Sequence, residues 1–245
     1  MRFVVISLLL LLVLLIPVLA MASEGDTMKT HPVLDQKQES IITIAAFTAS
    51  GDMVKLKTSL NEGLDAGLTV NQIKEILVQM YAYAGFPRSL NGLGTFMVVM
   101  DERKAKGIND DMGKDASPIP ANMNRDDYGA KVRAQLGGLD KIPPPAKWQE
   151  FSPVIDKFLK EHLFADIFAR DLLTFQEREL ATIAALASMP GLEGPLTFHL
   201  GAAMNTGLTE KQMKAFVSVI KNRVGSKEGT GVGKLLEGLM ARLKF

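Results

Sequence analysis

The chain has 245 residues, of which 28 are basic and 27 acidic, and its formal net charge at neutral pH is +1. This length suits one large domain or two modest ones, and the balanced charge gives no electrostatic reason to expect a nucleic-acid partner. The chain contains no cysteine. Disulfides, thiolate metal sites, cysteine nucleophiles and CxxC redox chemistry are therefore excluded.

The N-terminus has the composition of an export signal. A short basic start, Met1-Arg2, precedes the apolar run 3–18, and Ala20-Met21-Ala22 has the small-x-small pattern of a cleavage site. We predict a signal peptide over residues 1–22, cleaved after Ala22, and a periplasmic or secreted protein without a stable membrane anchor. A retained anchor is the alternative, because an apolar run of about 18 residues can just span a bilayer.

Hydrophobic periodicity predicts an all-α fold for the rest of the chain. Four polar residues each stand three positions before a glutamine or glutamate and open an apolar run with helical spacing, which is typical of a capped helix start. The helices after the first and third of these pairs are apolar on nearly all sides, so we expect them at the centre of the core. The four pairs are Asp35 and Gln38, Thr69 and Gln72, Thr174 and Glu177, and Thr209 and Gln212.

A glycine- and proline-rich segment separates two groups of predicted helices. The turn Gly85-Phe86-Pro87 is expected to precede a helix over about 89–104. Residues 105–150 contain five glycines and five prolines and are predicted to be a linker with one helix near 126–136. Ser152-Pro153 then has the order of a helix cap followed by a first-turn proline. The buried face predicted for this helix comprises Val154, Ile155, Phe158, Leu159, Leu163, Ile167 and Phe168.

The chain contains an internal repeat. The segment Thr43-Ile44-Ala45-Ala46 recurs 139 positions later, and Gly67-Leu68-Thr69 recurs 140 positions later. The one-residue difference falls in a loop, where an insertion costs little. We therefore predict a duplicated helical-bundle repeat, with its first copy at 34–104 and its second copy at 151–245.

The two copies differ at positions that carry chemistry. The second copy has a glutamate and a histidine where the first has two serines, and the first copy has two tyrosines where the second has basic residues. Each copy has therefore kept a different part of the pattern. The aligned pairs are Glu179 with Ser40, His199 with Ser59, Tyr81 with Lys221, and Tyr83 with Arg223.

Four side chains are candidates for a site. His199 suits proton transfer because an unperturbed histidine pKa of about 6.5 leaves both forms available near neutrality, and Glu179 could orient its ring. Each has a structural alternative: a helix histidine bonded to a neighbour, and a glutamate favoured by the helix dipole. Arg170 is either an anion anchor or a surface partner of Asp171, and Tyr83 either presents its hydroxyl to a pocket or packs in the core. Three scattered histidines without a cysteine predict no metal site.

Three motifs carry a resemblance to a known family. They are R-E-L-x-T-I-A-A-L-A from Arg178, F-H-L-x-x-A-x-N-x-G-L-T from Phe198, and Y-A-Y-A-G-F-P-R-S from Tyr81. Together they resemble the carboxymuconolactone decarboxylase family, whose fold is shared with the alkyl hydroperoxidase D proteins. The resemblance covers residues 34–104 and 151–244, which is most of the mature chain.

The resemblance implies an all-helical homo-oligomer with active sites near subunit contacts, and a tandem copy similar to a fused dimer. It places the family's glutamate at Glu179 and its histidine at His199. The peroxidase branch of the family uses a CxxC just before the histidine, where this chain has Leu192 and Pro195. The decarboxylase branch is mostly cytoplasmic, which argues against its catabolic lactone as the substrate of an exported protein.

Two functional hypotheses follow. The first is an exported lyase or isomerase that needs no cofactor and acts on a small carboxylated or lactone-like molecule. In it His199 shuttles a proton, Glu179 orients His199, and Arg170 and Tyr83 bind the substrate. The second is a non-catalytic helical module for binding or assembly, which predicts that Glu179 and His199 point away from any shared cavity.

Overall fold

A computed structural model describes residues 33–243, so the predicted signal peptide at 1–22 lies outside the described residues. The described part consists of eleven α-helices without a β-strand, which confirms the all-α prediction. The first four helices are α1 (Gln36–Ser50), α2 (Met53–Asp65), α3 (Val70–Ala84) and α4 (Phe86–Ala105). The middle helices are α5 (Arg125–Leu136), α6 (Lys147–Phe151) and α7 (Pro153–Phe158), and α7 continues as a first π-helical segment, Leu159–Ile167. The last are α8 (Phe175–Ala187), α9 (Glu193–Asn205), α10 (Glu210–Val219), which continues as a second π-helical segment, Ile220–Val224, and α11 (Ser226–Leu243).

The four predicted capped starts are present in the structure. In α1, α3, α8 and α10 the cap residue accepts from the backbone of the third helical residue, whose side chain accepts from the cap residue's backbone N–H. Each box provides acceptors for two N–H groups that would otherwise lack an intrahelical partner. The boundaries of these four helices are therefore set locally by the sequence.

Helices α1 and α8, the first capped helix of each copy, pack against each other within the main hydrophobic core. Their central residues are buried on all sides, as the all-round apolar character predicts. Ile41, Ile42, Ile44 and Ile183 have no exposed surface. Burying one such side chain contributes about 1.5–3 kcal/mol, so this contact between the copies is a major source of stability. Helices α2, α3 and α4 contact α1, and α9 contacts α8.

Helix α4 begins earlier than the sequence suggested. Gly85 alone joins α3 to α4, with a φ of +83°, which favours glycine. Pro87 lies in the first turn of α4, where its missing N–H has no intrahelical role. The turn predicted over Gly85-Phe86-Pro87 is therefore mostly helix, and Ser89 lies inside α4 and donates a hydrogen bond to the carbonyl of Leu77.

The buried face predicted after Pro153 is wrong in its first half. Val154, Ile155 and Phe158 are exposed, and the continuous burial begins at Leu163, within the first π-helical segment. The hydroxyl of Ser152 forms no cap hydrogen bond. Within residues 33–243, helix α7 contacts mainly α6 and the segment that follows it, and these contacts leave its apolar side chains exposed.

The segment predicted as a linker is packed against both copies. Helix α5, close to the predicted 126–136, contacts α9 and the first π-helical segment around a second hydrophobic cluster that includes Val132 and Leu136. Backbone N–H groups of Val70 and Asn71 also donate to carbonyls of the segment after α4. The connection between the copies thus forms part of the folded body. Within residues 33–243, no helix has the length and apolarity needed to cross a bilayer.

Candidate functional site

Glu179 and His199 form a buried hydrogen-bonded pair. Glu179 lies on α8 and His199 on α9, and these two helices pack against each other. The Nδ1 atom of His199 is 2.8 Å from Oε2 of Glu179. Glu179 has no exposed surface, and His199 is only 6 % exposed. The question that the sequence left open, whether these side chains meet, is answered by this contact.

The remaining polar atoms of the pair have no partner in the described part of the chain. Oε1 of Glu179 is buried without a hydrogen bond, and the contact with Glu179 is the only hydrogen bond of the His199 ring there. An ionised carboxylate can only accept, so beside an ionised Glu179 the shared proton belongs to Nδ1 of His199, and the neutral form of the ring has its lone pair on Nε2. The second ring nitrogen, Nε2, is then free to accept a proton from a ligand.

Tyr83 approaches the pair from the first copy. It lies near the C-terminus of α3, and its ring meets the ring of His199 edge-on, with 5.6 Å between ring centroids. Its hydroxyl is buried and has no hydrogen-bond partner among the described residues. Burial is the main cause that raises the pKa of Tyr83, and the negative charge of Glu179 raises it further. The nearby Thr182 hydroxyl lowers the pKa only in part, and it does not form a hydrogen bond of normal geometry with Tyr83. Tyr83 therefore stays a neutral phenol that can donate.

A cavity of about 620 Å³ lies beside His199 and Tyr83. This volume is in the range of small-molecule sites, which are mostly apolar with a few placed polar groups. Both copies and the segment between them contribute to the wall, whereas Glu179 is not among the lining residues. The polar lining residues are Tyr83, Arg133, Gln149 and His199. The apolar ones include Trp148, Leu159, Leu163, Phe164, Leu186, Leu192, Pro195 and Phe198.

The structure does not bring Arg170 to this cavity. Its Nε atom donates to both carboxylate oxygens of Glu75, at 3.1 and 2.8 Å. The surface pair considered for Arg170 is also absent, because Asp171 instead binds Lys114 and Ser117. The geometry thus supports neither of the roles that the sequence suggested for Arg170.

A buried polar network that the sequence analysis missed joins α3 to α8. The guanidinium of Arg178, which has no exposed surface, donates to Glu75 Oε1 and Gln79 Oε1, both at 2.8 Å. The Gln79 amide donates to the Arg178 carbonyl and to the Thr182 hydroxyl. Burial lowers the pKa of Arg178. The signal available in the sequence was Glu75 and Gln79 at i, i+4 on an otherwise apolar helix face.

The equivalent location in the first copy lacks the acid–base pair. Ser40 and Ser59 are buried there, and the hydroxyl of Ser40 donates to a backbone carbonyl of its own helix. Arg223, which aligns with Tyr83, forms an ion pair with Glu62 beside a polar pocket of about 320 Å³. Only the second copy therefore presents a carboxylate and an imidazole together. In residues 33–243 no cluster of three or more His, Asp or Glu side chains is arranged to hold a metal ion.

The fold and the site define a class: a duplicated all-α protein with one buried Glu–His pair beside an apolar cavity. The model of the carboxymuconolactone decarboxylase family matches residues 19–95 and 153–225. These two matches span more than half of the chain, so the chain belongs to the carboxymuconolactone decarboxylase family, with two copies of its unit in tandem. A comparison with curated proteins found no match.

Proposed function

We propose that the chain is a cofactor-free lyase or isomerase that acts on a small carboxylated or lactone-like molecule. One observation carries the proposal: a histidine at the cavity wall is hydrogen-bonded through Nδ1 to a fully buried glutamate. A carboxylate in this position fixes the tautomer of the imidazole and stabilises the imidazolium formed during proton transfer. Family membership supports the same class of chemistry.

His199 and Tyr83 have different roles in the proposed proton transfer. In an isomerisation, Nε2 of His199 removes a proton from a carbon beside a carbonyl, and the imidazolium returns that proton to another carbon of the conjugated system. In a decarboxylation, a protonated His199 supplies the proton that replaces the departing carbon dioxide. Tyr83 donates a hydrogen bond to the carbonyl oxygen as negative charge develops on it. Positioned acid–base groups of this kind contribute about 10²–10⁴-fold to rate.

The alternative is a non-catalytic helical module for binding or assembly. This alternative predicts that Glu179 and His199 point away from any shared cavity. The hydrogen bond between the two residues and the position of His199 on the cavity wall therefore favour the enzyme.

The purified protein and its variants should be assayed against a panel of lactones and unsaturated carboxylic acids. We expect His199→Gln to lower turnover by about 100-fold or more, and Glu179→Gln to lower it by a smaller factor because the amide still occupies the site. His162→Gln is the matched control, since His162 is exposed and bonded to Asp166. Unchanged turnover in His199→Gln would contradict the proposal, and a panel without any turnover by the wild-type protein would favour the non-catalytic module.

We also propose that the protein is exported and that copies of it associate. The apolar side chains of Phe86, Leu90 and Met97 on α4 are all more than half exposed. Large exposed apolar faces commonly mark interaction sites. The aligned positions of the second copy on α11 are polar: Ser226, Thr230 and Glu237. Sedimentation of the mature protein should give more than the monomer mass, and a monomer at all concentrations would contradict self-association.

A further inference from the structure

Arg133 is a cation in the wall of the cavity, and it comes from the segment between the two copies. It lies on α5, and its side chain is largely buried. Its NH1 atom donates to Oδ1 of Asp156 at 2.5 Å, the only hydrogen bond of this guanidinium in the described part of the chain. A guanidinium has five N–H donors in a planar fork. Arg133 therefore keeps donors available for a ligand in the cavity.

Asp156 fixes the position of Arg133 but does not fully neutralise its charge. Burial opposes ionisation of Asp156, but hydrogen bonds from Arg133 and Gln149 outweigh it and lower its pKa. Lys160 binds Asp156 as well, at 3.3 Å, and also pairs with Asp126, whose side chain is nearly half exposed. Solvent screens a charge as exposed as that of Asp126. Arg133 and Lys160 thus share one buried carboxylate, so Asp156 does not neutralise Arg133 alone.

The lining residues other than Arg133 determine what the ligand can be apart from its carboxylate. Most lining residues are apolar, and two of them, Trp148 and Phe198, are aromatic side chains that are partly exposed. The side-chain amide of Gln149 accepts from the backbone N–H of Ala146 and donates to Oδ1 of Asp156, so both of its ends already have a partner. Arg133 is the only lysine or arginine among the described lining residues, so a second anionic group on the ligand would lose its hydration without a cationic side chain to replace it. The wall fits one carboxylate on an otherwise apolar body.

We propose that Arg133 determines the specificity of the site by binding the single carboxylate of an otherwise apolar, ring-sized substrate. The inference rests on the proposed function, because it concerns the substrate of that same cavity. A guanidinium binds a carboxylate through charge-assisted, often bidentate hydrogen bonds, which a neutral amide cannot match. Arg133 thus takes the role that the sequence suggested for Arg170.

Binding can be measured without knowledge of the substrate. The chain has one tryptophan, and Trp148 lines the cavity, so its fluorescence reports a ligand there. The probes are phenylacetate and its neutral amide, phenylacetamide. We expect the wild-type protein to bind phenylacetate about 10-fold or more tightly than phenylacetamide, and Arg133→Met to lose this preference, with phenylacetamide affinity little changed.

The controls separate local from general effects. Lys131→Met changes an exposed cation on the same helix, paired with Asp127, and should leave the preference intact. If Arg133→Met fails to fold because Asp156 loses a partner, Arg133→Met/Asp156→Asn removes both charges and should show the same loss. Equal binding of the two probes by the wild-type protein, or an unchanged preference in these variants, would overturn the inference. Binding that persists in His199→Gln while turnover is lost would support both proposals.

The two proposals fail in different ways. If His199→Gln keeps full turnover while Arg133→Met loses the carboxylate preference, the proposed chemistry is wrong and the binding role of Arg133 stands. If turnover depends on His199 but the preference does not depend on Arg133, only the inference about Arg133 is wrong.

Discussion

The imidazole of His199 has one nitrogen bonded to a buried carboxylate and the other available to a ligand, which is the arrangement that proton transfer needs. The glutamate lies behind the histidine and does not line the cavity. Glu179 therefore acts through His199 in this account and does not contact the substrate. Four buried side-chain atoms have no hydrogen-bond partner within residues 33–243, and two of them, the Tyr83 hydroxyl and Oε1 of Glu179, belong to this site.

Tyr83→Phe separates catalysis from stability. The Tyr83 hydroxyl makes no hydrogen bond within the described part of the chain, so its removal should change the free energy of unfolding by less than about 1 kcal/mol. Loss of a donor to the developing negative charge should lower kcat by about 10-fold or more. Urea denaturation and steady-state kinetics measure the two effects. Tyr81→Phe is the control, because its hydroxyl is also buried and unpaired but Tyr81 does not line the cavity; equal kcat losses in both variants would refute the role of Tyr83.

At the scale of the helices, the polar network between α3 and α8 fixes the position of Tyr83 relative to Glu179. Gln79 and Tyr83 stand one helical turn apart on α3, and Arg178 directly precedes Glu179 on α8. The hydrogen bonds between Gln79 and Arg178 run in both directions. A shift of one helix along the other would therefore break them and separate the site residues.

Removal of the acidic residue and removal of the basic residue of this network should lower the free energy of unfolding by different amounts. Glu75→Gln leaves Arg178 buried without a counter-charge, which typically costs about 3–5 kcal/mol. Arg178→Met should cost less, because Glu75 keeps its bonds from Arg170. Urea denaturation of both variants measures the difference in the free energy of unfolding. A smaller loss for Glu75→Gln than for Arg178→Met would show that the network does not work as described.

The sequence predicted the local features of the helices and missed those that depend on tertiary packing. Capping boxes and all-round apolar helices involve neighbouring residues, so α1 and α8 were predicted with their caps and their burial. Exposure of Phe158 and the position of Arg133 on the cavity wall depend on how distant segments pack. Glu179 and His199 were found through the comparison of the copies, but only the packing of α8 on α9 shows that they meet.

The two copies and the segment that connects them all contribute side chains to one site. The second copy provides Glu179 and His199, the first provides Tyr83, and the connection provides Arg133. The location equivalent to the site in the first copy holds serines and the Arg223–Glu62 ion pair. Fusion of the copies allows such a division, because each copy can lose the part of the pattern that the other supplies.

Export is a property of the whole chain that N-terminal sequencing can test. Expression of the full chain in a bacterium should give a mature protein that begins at Ser23, because the pattern Ala20-Met21-Ala22 precedes that residue. The mature protein should be released with the periplasmic fraction. A product that keeps Met1 and sediments with membranes would instead support the retained anchor.

Hydrogen exchange with deuterated water shows whether His199 moves a proton to and from a bound molecule. Each panel compound is incubated with protein in deuterated water, and deuterium at the carbon beside the carbonyl is measured by NMR. We expect deuterium incorporation that depends on the wild-type protein, falls by about 100-fold or more in His199→Gln, and is kept in His162→Gln. Incorporation by His199→Gln at the wild-type rate, or no protein-dependent incorporation into any compound, would contradict this expectation.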